Sequence, residues 1–144
     1  MRGKNCVCSA LLELKSQQDQ LGGCPTSCFS SLLAKLIKVD TLPFMLFTES
    51  NGPLELVGFE RKSNGISHFK TSFFRIEDID EETCCAKISL LRPLDFQGCI
   101  VDSICDVARL ERTRICTEID VNCFCAVQCL DVDLLRSIVI EPKW

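Results

Sequence analysis

Apolar positions recur with two different periods along this chain, and the change falls near residue 42. Upstream, CSALLELKSQQDQL (8–21) sets Leu11, Leu14, Gln18 and Leu21 on one stripe. That is the spacing of a short amphipathic helix, ended by Gly22-Gly23. Pro25 and Ser27 make CPTSC (24–28) a turn. FSSLLAKLIKV (29–39), with Leu32, Leu33, Leu36 and Ile37, predicts a second short helix. Downstream the period is two. PFMLFTES (43–50) reads as a strand ending at the turn signal NGP, with LELVGFE (54–60) as its hairpin partner. FKTSFFRIEDI (69–79), CCAKISLL (84–91), ICDVARL (104–110), RICTEIDV (114–121) and CFCAVQCL (123–130) continue the series. Short strands at this spacing predict a mainly β protein: an antiparallel β-sandwich or barrel-like domain with a short helical N-terminal segment. The expected division is a helical arm over 1–40 and a β-rich assembly domain over 41–144. The tail DVDLLRSIVIEPKW fits either a helix or a strand, and no internal repeat is visible.

Alternation also sorts the cysteines. In CCAKISLL, Cys84, Ala86, Ile88 and Leu90 share one side, and Cys85, Lys87 and Ser89 the other. If 115–129 runs extended, Ile115, Thr117, Ile119, Val121, Cys123, Cys125, Val127 and Cys129 form an apolar face. Cys116, Glu118, Asp120, Asn122, Phe124, Ala126 and Gln128 form the other. Fifteen residues is long for one strand, so a kink is expected near Asp120–Asn122. Cys123 and Cys125 are expected to face the core, where a free cysteine behaves as a small hydrophobe. Cys84, Cys105, Cys123, Cys125 and Cys129 are therefore candidates for burial or for disulfides within the chain. Cys85 and Cys116 lie on polar sides, and Cys6, Cys8, Cys24 and Cys28 lie in the N-terminal segment. These six are the candidates for disulfides between chains.

Composition narrows the function. The 144 residues suit one domain, with 47% hydrophobic and 25% charged residues. Net charge is −4 and the pI about 5.0. Basic residues are scattered, and the densest run, RLERTR (109–114), contains a glutamate, so nucleic acid is not an expected partner. No run of 18 apolar residues exists, so no membrane insertion is expected. The start MRGKNCVCSALLELKSQQ lacks a signal-peptide pattern, because Glu13 and Lys15 break its apolar stretch. Twelve cysteines on a start of that kind set up a tension, because such a load is typical of oxidising compartments. Either the thiols stay reduced and bind something, or the chain is oxidised after synthesis.

Zinc wants four ligands, and CPTSC with CFCAVQC could supply four thiolates, which makes a cytosolic zinc-binding adaptor the rival reading. Cys-x-Cys within a strand is a poor zinc knuckle, however, and no glycine lets amides approach the sulfurs. No metal and no cofactor is expected. His68, in the loop-like SNGISHFK, would need a thiol beside it for Cys-His catalysis, and a solvated loop histidine explains it better. EDIDEE (77–82) lacks the calcium-loop spacing and reads as a charged turn. LGG and SNG lack phosphate-loop spacing, and the Cys-x-x-Cys motif of a thiol-redox protein is missing.

CPTSC, LPFMLFT, FFRIEDI, CCAKISLL, ICDVARLERT and above all CTEIDVNCFCAVQCL resemble the cysteine-rich CotY/CotZ/ExsY family of spore coat, crust and exosporium proteins, nearest its CotZ branch. The resemblance runs from about residue 24 to residue 130. It implies a structural protein rather than an enzyme, made in the mother-cell cytoplasm without a signal peptide. Its partners would be itself, in a ring-based lattice, and paralogous coat or exosporium proteins on the spore surface. The layer would be two-dimensional and cross-linked by disulfides. Cys24, Cys28, Cys85, Cys105, Cys116, Cys123, Cys125 and Cys129 fall on the family-like motifs. Cys6 and Cys8 match more loosely, and Cys84 and Cys99 look like additions.

Overall fold

The computed structural model of the chain describes residues 6–22, 41–50, 52–101, 106–129 and 139–141. The expected turn at 24–28 and second helix at 29–39 lie outside the described residues, as do residues 104–105 and most of the tail. The protein is mainly β: a curled, antiparallel half-barrel sheet with one short N-terminal helix.

Helix α1 spans Cys6–Gly22. Its buried stripe is Val7, Cys8, Leu11, Leu14 and Gln18, spaced three and four apart. Outward, Lys15 pairs with Asp19 at 2.7 Å, one turn on. The strands are β1 (Phe44–Thr48), β2 (Gly52–Pro53), β3 (Leu56–Lys62), β4 (Gly65–Thr71), β5 (Phe74–Ile79), β6 (Cys85–Leu94), β7 (Arg109–Asp120), β8 (Ala126–Cys129) and β9 (Val139–Glu141). The sheet runs β2-β1-β5-β6-β7-β9, with β8 also paired to β1. β9 joins parallel to β7, so the tail contributes a strand. β3 and β4 form a separate two-stranded hairpin.

Three strand assignments differ from expectation. The separate strands expected at 104–110 and 114–121 share one strand, β7, which is unbroken over Arg109–Asp120. Residues 69–79 are not one strand, because the chain breaks at Ser72–Phe73, where the Phe73 amide donates to Thr71 Oγ1 at 3.1 Å. The segment at 54–60 pairs with β4 rather than β1. The turn between them is SNG, with Gly65 at φ 132°, a conformation open to glycine. Ahead of β3, the short strand β2 takes the edge of β1.

Alternation in β6 changes along its length. Cys85 and Lys87 are exposed between buried Cys84, Ala86 and Ile88, whereas Ile88 through Leu94 are all buried. That end of the strand is covered on both faces. The larger core packs α1 against Phe44, Leu46, Phe69, Phe74, Ile76, Ile88, Leu90 and Val121. A smaller cluster joins Met45, Phe73, Leu91 and Leu110. A register shift between Ser89 and Leu91 interrupts the β6–β7 ladder. Near it, the Thr113 hydroxyl donates to Leu90 O and the Thr71 hydroxyl to Leu91 O, each at 2.6 Å.

The hairpin is fastened over β6 and β7 by shape and charge. A Cβ on Gly58 would come within 2.8 Å of the Phe69 ring and 3.1 Å of Ile115, so only glycine permits this approach. The Arg92 guanidinium lies 5.1 Å from the Phe69 ring centre and pairs with both Glu60 and Glu111. One arginine thus ties β3 to β6 and β7.

Gln18 is the polar member of the helix stripe and is almost fully buried. Its Nε2 donates to Ile76 O at 2.8 Å, and its Oε1 accepts from the Leu42 amide at 3.1 Å. Ile76 sits at the register shift of β5 on β6, where a carbonyl is released from the ladder. Gln18→Leu would strand both backbone groups in the core. A loss of about 1–3 kcal/mol in urea unfolding is expected; an unchanged midpoint would show that the side chain is dispensable.

Candidate functional site: a buried disulfide ringed by exposed thiols

The β5–β6 turn is built on Asp80. Its carboxylate accepts from the amides of Glu82 (2.7 Å) and Thr83 (3.1 Å), and its carbonyl accepts from the Cys84 amide at 2.9 Å. The Thr83 amide first, and then that of Glu82, hold the Asp80 carboxyl below its usual value. The turn delivers Cys84 with φ +61°, uncommon for a residue other than glycine. There Cys84 meets Cys8 of α1 in a disulfide with a Cα–Cα distance of 5.9 Å, across 76 residues of sequence. Both cysteines are buried.

Cys8 is therefore not an exposed thiol of a free arm, and its assignment to bonds between chains is corrected. The signal was present in the sequence: extending the Leu11–Leu14–Gln18 stripe back by three residues reaches Cys8. Cys6 points the other way and is exposed.

The segment after β7 differs most from expectation. Val121–Cys123 forms a turn of 3-10 helix, capped by Asp120, whose side chain accepts from the Asn122 amide at 3.0 Å. The expected kink is there, but it also resets the alternation. Val121 is fully buried, and then Phe124 and Val127 take the inward positions. Cys123, Cys125 and Cys129, expected to face the core, are exposed. A strand keeps its faces only while its phase is unbroken, and one helical turn shifts that phase. His68 is likewise not in a loop. It lies exposed on β4, opposite Phe59, with ring centres 6.2 Å apart. Cys24, Cys28 and Cys105 lie outside the described residues.

Among the described residues the free, exposed thiols are Cys6, Cys85, Cys99, Cys116, Cys123, Cys125 and Cys129. Three of them surround the disulfide. Cys6 is two residues from Cys8, and Cys85 adjoins Cys84. The Val121 amide donates to Cys84 O at 3.1 Å, which brings the turn ending at Cys123 to the same corner. Cys85 and Cys116 share the outer face of β6–β7, but Cys85 stands opposite Asp120 and Cys116 opposite Ser89. Four residues of offset separate them by roughly 13 Å along the strands, beyond the ~7 Å limit on Cα separation for a disulfide. Cys125 Sγ donates to Phe47 O at 3.4 Å. Cys129 is exposed at its surface, yet neighbouring atoms desolvate its sulfur enough to push the thiol above its ordinary value. Among the described residues, no group of three histidine, cysteine, aspartate or glutamate side chains is placed to hold a metal ion. No described helix is long and apolar enough to cross a membrane.

A small, cysteine-dense β body with its thiols turned outward is the class of protein this surface defines. Comparison with known families agrees with it. The model of the spore coat protein Z family matches residues 1–132. The chain is 36% identical to spore coat protein Z of Bacillus subtilis (strain 168) over 92% of its own length and 93% of that protein's. The chain belongs to the spore coat protein Z family, and membership supports a structural role in the spore coat. No solved structure matches it.

Two outcomes follow from the thiol geometry. The Cys8→Ser/Cys84→Ser double variant should lose about 2–5 kcal/mol of stability, since the bond closes a long loop. Urea unfolding with and without reductant reads this directly, and equal midpoints for variant and parent would show that the bond contributes nothing. In timed iodoacetamide labelling followed by mass spectrometry, Cys129 should label last of the seven and speed up as pH rises, because its raised pKa leaves little thiolate at neutral pH. Early labelling of Cys129 would contradict the desolvation seen around it.

Proposed function

We propose that this protein is a non-enzymatic structural subunit of the outer spore coat, crust or exosporium. In this reading it associates with itself, and with paralogous coat proteins, into an ordered two-dimensional layer that disulfides then cross-link. The observation that carries the reading is the division of labour among the cysteines. One pair is buried and braces the fold, while seven described thiols face outward. Two of these, Cys85 and Cys116, share a face and are too far apart to bond to each other, so in this reading each is left for a thiol of a neighbouring molecule.

Synthesis in the reducing mother-cell cytoplasm would keep these thiols free until oxidation follows assembly. Residues 41–144 would supply the assembly body. The segment 1–40 would carry Cys6, Cys24 and Cys28 toward neighbours, with residues 6–22 held against the sheet. Cys105 is assigned to burial or bonding within the chain. Weak contacts suffice in such a layer, because each subunit is held by several neighbours at once. Oxidation then turns a reversible array into a shell that resists denaturants.

The test is to express the chain alone and view it by negative-stain electron microscopy with and without strong reductant, assaying zinc in the same sample. Extended sheets that loosen on reduction, without stoichiometric zinc, are expected. Cys85→Ser/Cys116→Ser should assemble when reduced but lose detergent resistance after oxidation. A small monodisperse species carrying about one zinc per chain, unfolded by chelators, would overturn the reading in favour of a zinc-binding adaptor.

A further inference from the structure

The β3–β4 hairpin has two unlike faces. The inner one, with Gly58 and Phe69, is pressed against the body. The outer one carries Val57 and Phe59 on β3 with Ile66 and His68 on β4, in adjacent cross-strand positions. Phe59 is 66% exposed and Ile66 71%. These are large apolar side chains on a two-stranded ribbon with no described residue packed above them, and contiguous exposure of this kind marks interaction surfaces. Arg61, opposite Ile66, and Lys70, opposite Val57, make the same face basic, and both are exposed.

A surface of opposite character lies elsewhere on the same molecule. A groove of about 310 Å³ runs beside the β5–β6 turn. Asp78, Asp80 and Glu118 line it beside Cys85 and the backbone of Ile79 and Ala86, whose side chains turn to the core, and Lys87, its one lining cation, stands between Asp78 and Glu118. Glu82 and Asp120 stand exposed on neighbouring residues.

We propose that the outer face of the β3–β4 hairpin docks in this acidic groove of a second copy of the chain. The inference rests on the reading of the protein as a self-assembling layer subunit, and it names the surfaces that would join. Phe59 and Ile66 lie over the Cys85 side chain and the aliphatic stem of Lys87. Arg61 and Lys70 meet Asp78 and Glu118. The two surfaces lie on opposite faces of the sheet: Gly58 packs over Ile115, whereas Glu118, three residues on in an alternating strand, projects from the other side. A patch and its complement on opposite faces of one subunit make a heterologous contact. Such a contact propagates from copy to copy, closing only as a ring. It also places Cys85, in the groove, at the junction between subunits.

The test uses the full chain under reducing conditions, so that disulfides play no part, with assembly followed by sedimentation and electron microscopy. Phe59→Ser/Ile66→Ser, and separately Arg61→Glu/Lys70→Glu, should raise the concentration needed for assembly by about tenfold or more, with unchanged circular dichroism and melting temperature. Combining Arg61→Glu/Lys70→Glu with Asp78→Lys/Glu118→Lys in one chain should restore assembly, because the swapped charges again complement one another. Parent-like assembly by the hairpin variants would overturn the docking surface and leave the layer reading intact. A parent chain that stays monomeric would overturn both. A melting temperature lowered by Phe59→Ser/Ile66→Ser, with assembly unaffected, would mean that the chain's own residues cover the face, and would also overturn the proposal. Failure of the combined charge swap to assemble would remove the groove as the hairpin's partner.

Discussion

The ladder that pairs β6 with β7, from Cys85–Asp120 at one end to Leu94–Arg109 at the other, sets the position of everything that bears on function. At its Leu94 end both faces of β6 are buried, and Arg92 reaches from it to fasten the hairpin through Glu60, Glu111 and the Phe69 ring. At its Cys85 end only one face is covered, and the outer row of Cys85, Lys87 and Glu118 is left to solvent. An arginine that is almost fully buried needs both carboxylates and the aromatic ring, because a buried charge without partners would be far too costly. The hairpin is therefore locked to the body.

The disulfide works on the other end of the same frame. α1 covers the inner face with a stripe of five residues, and two of these do more than pack. Gln18 satisfies the Ile76 carbonyl, left open where β5 shifts register on β6, together with the Leu42 amide ahead of β1, and Cys8 joins the chain covalently to the turn that starts β6. The covalent tie lies inside, where Cys8 and Cys84 are shielded from exchange. The reactive thiols lie outside, where partners can reach them. One kind of side chain thus performs two tasks, separated only by burial.

Much of the β architecture was legible in the sequence. The period-two runs at 43–50 and 84–91 became β1 and β6, and the apolar stripe of 8–21 became α1. The faces of β7 also came out as read: Cys116, Glu118 and Asp120 are exposed, and Ile115, Thr117 and Ile119 turn inward. The partnership of strands was less legible. Nothing local in LELVGFE says whether it pairs backward across NGP or forward across SNG, since both are acceptable turns. Only the packed structure decides it: β3 pairs forward with β4, and Gly58 lets it lie close against Phe69 and Ile115.

For the cysteines, the sequence by itself determined which side of each regular element a residue occupies, because a helix or strand repeats its geometry as long as it is unbroken. That was enough for Cys85 and Cys116, and it would have been enough for Cys8. It was not enough for Cys123, Cys125 and Cys129. Beyond Asp120 the chain makes one 3-10 turn, whose cap, whose hydrogen bond from Val121 to Cys84 O, and whose return along β1 are all set by distant residues. A phase that depends on where the chain must go next is decided only by tertiary structure. Here that single turn moved three thiols from the expected interior to the surface.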